Sequence, residues 1–174
     1  MCSFDTMCTL FVSWQAHPSF SLIVAANRDE FYERQTSRLH WWDEPKDMLA
    51  GKDLEAGGTW MGVNKNGRWG AITNYRKFPA SESYMSSRGD LLKLYLGNEL
   101  SLKEFKNYLV KKKDAYDGYN LLFGESNHLF YYSNRNENEQ APILLVPGIY
   151  GLSNALLDTP WPKVKDGKDQ FIQL

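Results

Sequence analysis

The order of apolar segments predicts an α+β fold. Strands come first, then two helices, then strands again, then a short terminal helix. Three observations carry this reading. β-prone runs occupy both ends of the chain, helical spacing occupies the middle, and the strict strand–helix alternation of a doubly wound parallel sheet is missing. The expected architecture is antiparallel sheets with helices gathered on an outer face.

Thr9 to Trp14 is a short apolar run, and Phe20 to Ala26 is a second, rich in Leu, Ile and Val. The break at His17-Pro18 predicts a hairpin between them. Thr59 to Val63 and Trp69 to Thr73 form another pair around Asn64-Lys65-Asn66-Gly67, and Asn-Gly is a strong hairpin turn. Leu91, Leu92 and Tyr95 share one helical face. Ser101 and Glu104 form a capping box, after which Leu102, Phe105 and Leu109 fall on one apolar stripe. Lys111 to Lys113 then suits the C-terminal end of a helix dipole. Tyr119 to Phe123 and His128 to Tyr132 flank the turn Glu125-Ser126-Asn127. Ile143 to Val146 and Ile149 to Ser153 flank Pro147-Gly148. Thr159 is a candidate N-cap with Pro160 at the first helical position, weakened downstream by Pro162 and Gly167.

The 174 residues suit a single domain, read here as spanning 1–174. Twenty Lys and Arg against 21 Asp and Glu give a net charge of -1, which excludes a strongly basic nucleic-acid binder. No apolar run approaches the ~20 residues of a membrane-spanning helix. The N-terminus lacks the basic segment of a secretory signal, with Asp5 where the apolar part should begin. Two cysteines are too few for a disulfide framework, so free thiols in a reducing cytoplasm are expected. His17, His40 and His128 are far apart and no Cys-x-x-Cys occurs, so no metal site is expected. No glycine-rich phosphate loop is present either. Trp41-Trp42 is read either as a loop lid or as a cap on the core edge.

One oddity stands at the start: Met-Cys occurs twice, at Met1-Cys2 and Met7-Cys8. A cysteine after Met becomes the first residue once the Met is removed. Its α-amine, with an ordinary pKa of about 7.7–8.0, then serves as general base for its own thiol. The bland alternative is a small buried thiol. A strand follows Cys8 directly, which would hold a nucleophile at a sheet end. The apolar run ending at Ala26 passes abruptly into Asn27-Arg28-Asp29-Glu30. Arg28 and Asp29 there suit orientation of a thiolate or of the terminal ammonium, or else an exposed turn with a solvated ion pair. Asn74 and Asn154 each end an apolar strand, where a side-chain amide donates to an oxyanion or simply forms a turn.

Taken together, Met7-Cys8-Thr9-Leu10-Phe11, Ala26 to Phe31, Gly57-Gly58-Thr59-Trp60-Met61-Gly62, Thr73-Asn74-Tyr75, Arg88-Gly89, Tyr119-Asn120-Leu121 and Tyr150 to Asn154 resemble the NRDE family, the Transport and Golgi organisation protein 2 family. The blocks are ordered and span position 7 to about Trp161. The resemblance implies a four-layer αββα fold like that of the N-terminal nucleophile hydrolases, with chemistry nearest to cholylglycine hydrolases and penicillin V acylases. By position it makes Cys8 nucleophile and base, gives Arg28 and Asp29 an orienting role, and puts Asn74 and Asn154 in the oxyanion hole. Asn27, Glu30, Trp60 and Tyr75 are assigned to substrate binding. The implied ligand is a small molecule, with hydrolysis of a small non-peptide amide as the reaction. A non-catalytic carrier of haem or acyl-type ligands is the other implication, and no resident cofactor is expected. Family members start at the Met matching Met7, so residues 1–6 read as an extension. They also continue further, so the C-terminal part of the fold is expected beyond residue 174.

Overall fold

The computed structural model describes residues 8–76 and 86–173. Met1-Cys2, Met7 and the extension 1–6 lie outside the described residues. The described residues form an α+β arrangement with two antiparallel sheets and three α-helices.

The smaller sheet has the order β10-β1-β2, built from β1 (Thr9–Trp14), β2 (Leu22–Asn27) and β10 (Gly148–Leu152). The larger has seven strands in the order β3-β4-β5-β6-β7-β8-β9: β3 (Thr36–Trp41), β4 (Met48–Asp53), β5 (Met61–Asn64), β6 (Arg68–Asn74), β7 (Tyr119–Glu125), β8 (His128–Ser133) and β9 (Ile143–Leu144). Helices α1 (Gly89–Leu96) and α2 (Leu102–Lys111) cover its outer face. Helix α3 (Pro162–Phe171) packs on β10 and β1.

Alternation along the strands builds two cores. Tyr119, Leu121 and Phe123 of β7 point to the helices and join Leu91, Leu92, Tyr95, Phe105 and Leu109. Leu122 on the other face meets Leu10, Val12 and Trp14 of β1, with Trp69 and Ala71 of β6. The expected turn and cap chemistry is present. Asn64 Oδ1 accepts from the Asn66 and Arg68 amides, and Gly67 supplies the positive φ of 81°. Ser101 and Glu104 close a complete capping box.

Several readings of the sequence change. β3 and β4 are additional strands. Trp41 ends β3, and Trp42 is core, its Nε1 donating to the Ala50 carbonyl at 3.1 Å, so the pair is not a lid. The two runs flanking Pro147-Gly148 are strands as expected, and they join different sheets: β9 pairs with β8 and β10 with β1. Helix α3 starts later than Thr159. Trp161 precedes it and Pro162 takes the first helical position, where its missing N–H costs nothing. Gly167 is accommodated because Phe11 occupies the space where a Cβ would stand.

Candidate functional site

Backbone pairing sets the frame of the site. β1 starts at Thr9, whose antiparallel partner is Asn27, the last residue of β2. Cys8 therefore stands beside the point where the apolar strand gives way to Asn27-Arg28-Asp29-Glu30. The Cys8 Sγ donates to the Asp29 carbonyl at 3.6 Å. Asn27 braces the junction: its Oδ1 accepts from the Thr9 amide at 2.9 Å and its Nδ2 donates to Asp29 Oδ1 at 2.8 Å. On the other side of β1, Ser153 Oγ donates to the Cys8 carbonyl at 2.7 Å, and Thr73 Oγ1 donates to the Ser153 carbonyl at 2.9 Å. The start of β1 is thus tied to β2, to the end of β10 and, through Thr73, to the facing sheet.

A cleft of ≈ 120 Å³ opens here, lined among others by Cys8, Asn27, Arg28, Asp29, Glu30, Trp60 and Asn74. Seven of the nine residues singled out from sequence therefore share one cavity. Asn154 and Tyr75 are not among the lining residues. Asn154 is buried and works on Asn74 from behind: its Nδ2 donates to the Asn74 carbonyl at 2.8 Å, and its own carbonyl accepts from the Arg76 amide at 2.8 Å. Tyr75 is half-buried and held by its backbone, its amide donating to the Gly118 carbonyl at 2.9 Å.

The cleft also contains residues given no site role from the sequence: Arg34, Asp53 and Ser87, and Thr59 and Arg88 of the motif blocks. Asp53 ends β4 and organises the arginines. Its Oδ2 accepts from Arg34 Nε at 2.8 Å and Arg28 Nη2 at 3.3 Å, while its Oδ1 accepts from the Glu55 and Ala56 amides. Burial opposes charge on Asp53, but the Ala56 amide, the Arg34 guanidinium and the Glu55 amide together outweigh it and hold the carboxyl below its ordinary value. Arg28 also stacks on Trp60, 4.8 Å from the ring centre, and lies 3.6 Å from Glu30. The sequence signal for Asp53 is the run Asp53-Leu54-Glu55-Ala56-Gly57, an Asx turn whose Gly57 has φ 70°.

Burial pushes the Cys8 thiol above its ordinary value; Asp29 and Glu30 add to the effect, and Arg28 offsets part of it. The thiol accordingly rests protonated at neutral pH and needs a base to become a nucleophile. Lys163 of α3 sits close enough for the charges of Asp29 and Cys8 to act on it, although burial lowers its own pKa. Among the described residues, no group of three or more His, Cys, Asp or Glu is arranged to hold a metal ion. No described helix is long and apolar enough to cross a membrane.

Comparison with known proteins gives the family. The family model described as Transport and Golgi organisation 2 matches residues 7–174. The chain is 37% identical to the mouse Transport and Golgi organization 2 homolog, over 96% of this chain and 64% of the mouse protein. It is 36% identical to the human Transport and Golgi organization protein 2 homolog over the same shares. The Drosophila melanogaster Transport and Golgi organization protein 2 is 26% identical over 95% of this chain and 64% of its own length. The chain thus spans under two thirds of these relatives. A match over residues 7–174, starting one residue before Cys8, shows that the chain belongs to the Transport and Golgi organisation 2 family.

Proposed function

We propose that this chain is an N-terminal-nucleophile hydrolase of the Transport and Golgi organisation 2 family, hydrolysing a small non-peptide amide with Cys8. The single observation that carries the reading is the setting of Cys8. It immediately precedes the central strand of a three-stranded sheet at a polar cleft, its carbonyl accepts from Ser153 and its sulfur donates to the Asp29 carbonyl, Asn27 ties the neighbouring Thr9 to Asp29, and Arg28 lines the same cleft. The helix–sheet–sheet–helix stacking supports the four-layer N-terminal-nucleophile fold.

The chemistry requires Cys8 to be the first residue of the mature protein. Its α-amine takes the thiol proton and the sulfur attacks the amide carbonyl carbon. The resulting oxyanion is stabilised by a donor at Asn74, worth about 3–4 kcal/mol when aligned, while Asn154, whose Nδ2 is spent on the Asn74 carbonyl, serves to hold Asn74 in place and not as a second donor. The ammonium proton passes to the leaving nitrogen as the C–N bond breaks. Water then hydrolyses the thioester, returning the thiol and releasing the acid. Arg28 and Asp29 keep the sulfur and the amine in register. The reading includes a cytoplasmic setting, where a free thiol stays reduced.

The test uses protein beginning at Cys8, screened for amine release from a panel of small N-acyl amides. Turnover is expected, with Cys8→Ala lowering kcat by on the order of 1000-fold or more. Turnover by protein whose intact mass still includes residues 1–7 overturns the mechanism. Ligand binding without turnover, unchanged in Cys8→Ala, identifies a carrier instead.

A further inference from the structure

The two sheets differ in width, and the difference leaves a place open. Leu22 of β2 lines a cavity with Trp69 of β6, and Ala26 at the other end of β2 lines the Cys8 cleft with Met61 of β5. β2 therefore lies over β5 and β6, and β4 and β3 extend beyond it. One row of side chains records the overhang. Trp69, Val63, Leu49 and Trp41 are direct partners across β6, β5, β4 and β3, so they share the face turned to the smaller sheet. Trp69 is 8% exposed, Val63 38% and Trp41 52%. An apolar shelf about 10 Å wide, two strand spacings, is left bare beside β2.

The strand that borders this shelf is itself unpaired on that side. β2 ends the smaller sheet. The Gln15 amide donates to the Ser21 carbonyl at 2.7 Å, which puts the odd-numbered residues of the β1–β2 hairpin in bonded pairs. Alternation in an antiparallel ladder then turns the N–H and C=O groups of Leu22, Val24 and Ala26 outward. No described strand takes them up. Open edges are ordinarily blunted by charge, proline, irregular register or shortness. The outer strands of the larger sheet follow that rule: β3 has Arg38, His40 and a register shift, and β9 is two residues long. β2 has no charge, no proline and no register shift over its six residues.

We propose that the open edge of β2 and the shelf beside it form one acceptor site for an added β-strand, filled by polypeptide from the part of the family chain that this sequence does not match. Relatives carry that polypeptide, since the match covers 64% of the mouse protein. Main-chain groups of Leu22, Val24 and Ala26 supply the ladder, and apolar side chains at every second position of the incoming strand cover Val63, Leu49 and Trp41. A second copy of this chain does not fit. Antiparallel pairing of β2 with another β2 requires a two-fold axis normal to the sheet, which puts both larger sheets on the same side. The overhanging β3 and β4 of each copy would then run into β5 and β6 of the other. Because Ala26 lines the Cys8 cleft, the added strand also walls the cleft on that side. The acceptor site does not depend on the hydrolase reading, and its test reads no activity.

The chain is co-expressed with the unmatched part of the mouse homolog, and amide hydrogen exchange is followed in the purified complex. A one-to-one complex is expected, with the Val24 and Ala26 amides exchanging on the order of 100-fold more slowly than in the chain alone. Ala26→Pro removes one outward N–H at an exposed edge position, and Trp41→Glu charges the shelf; each should weaken the complex about tenfold or more. Circular dichroism establishes that each variant is folded; should Ala26→Pro unfold, Trp41→Glu carries the test. Should the mouse segment be insoluble beside the chain, the amides aligned with Val24 and Ala26 in the full-length mouse protein decide, and slow exchange is expected there. Absence of a complex with soluble segment, a complex that leaves the two amides unprotected or ignores both substitutions, fast exchange in the mouse protein, or a homodimer of the chain alone that protects them overturns the proposal.

Discussion

Strands β7 and β2 are both apolar, yet they do opposite work. β7 is buried from Tyr119 through Gly124, with helices against one face and β1 against the other. β2 is half-buried over Leu22 to Val24 and exposed from Ala25 to Asn27. β7 runs between two cores, whereas β2 is an edge strand that runs out of one into the cleft. Stability is concentrated where a strand is covered on both faces. Polar chemistry sits where the cover ends, because there charged side chains remain hydrated or find partners.

That contrast can be broken from either side. The largest expected effect on folding is in β7. Phe123→Ala removes a ring packed 5.2 Å from Phe105, 5.4 Å from Tyr95 and 5.5 Å from Phe130. It should cost about 3–5 kcal/mol by urea unfolding. A cost below about 1 kcal/mol would mean that this core is loosely packed. A smaller loss is expected where the two regions meet. Gly58→Ala forces a methyl group against Gly89 backbone, for about 1–3 kcal/mol. An unchanged unfolding midpoint would mean that the start of α1 can move away from Gly58 without cost.

The smallest effect belongs to the cleft. The folded-state pKa of Asp53 is depressed, so its contribution to stability is complete above its unfolded value near 4 and is lost as the pH falls through the folded value. Asp53→Asn should therefore melt below wild type at pH 7, with the two melting temperatures converging below about pH 4. A gap that does not narrow at all as the pH is lowered below about 4 would mean that ionisation of Asp53 contributes nothing to stability.

Features of the fold that depend on neighbouring residues were legible in the sequence. Asn64 to Gly67 turns the β5–β6 hairpin, Ser101 and Glu104 cap α2, and Cys8 directly precedes β1. β3 was not legible, because it is an edge strand of mixed polarity with a register shift between Ser37 and His40 that interrupts its alternation. β4 ends in Gly51-Lys52-Asp53, which reads as a turn until Asp53 is seen beneath two arginines. The candidate site divides in the same way. Asn27 to Glu30 announced itself by an abrupt change from apolar to charged. Arg34, Asp53 and Arg88 stand on separate segments, and only the sheet and α1 bring them to the same cleft.

The sequence by itself determined the strand–helix–strand order, the capped helix, the Asn-Gly hairpin and the family, since each rests on residue types at short spacing or on ordered motifs. Tertiary structure alone decided that β9 and β10 join different sheets, that Asn154 supports Asn74 from behind, and that Arg28 and Arg34 share Asp53 in a cleft that Arg88 also lines. Strand partners and charge clusters are chosen by which surfaces bury one another across long stretches of chain, and local spacing carries no record of that choice.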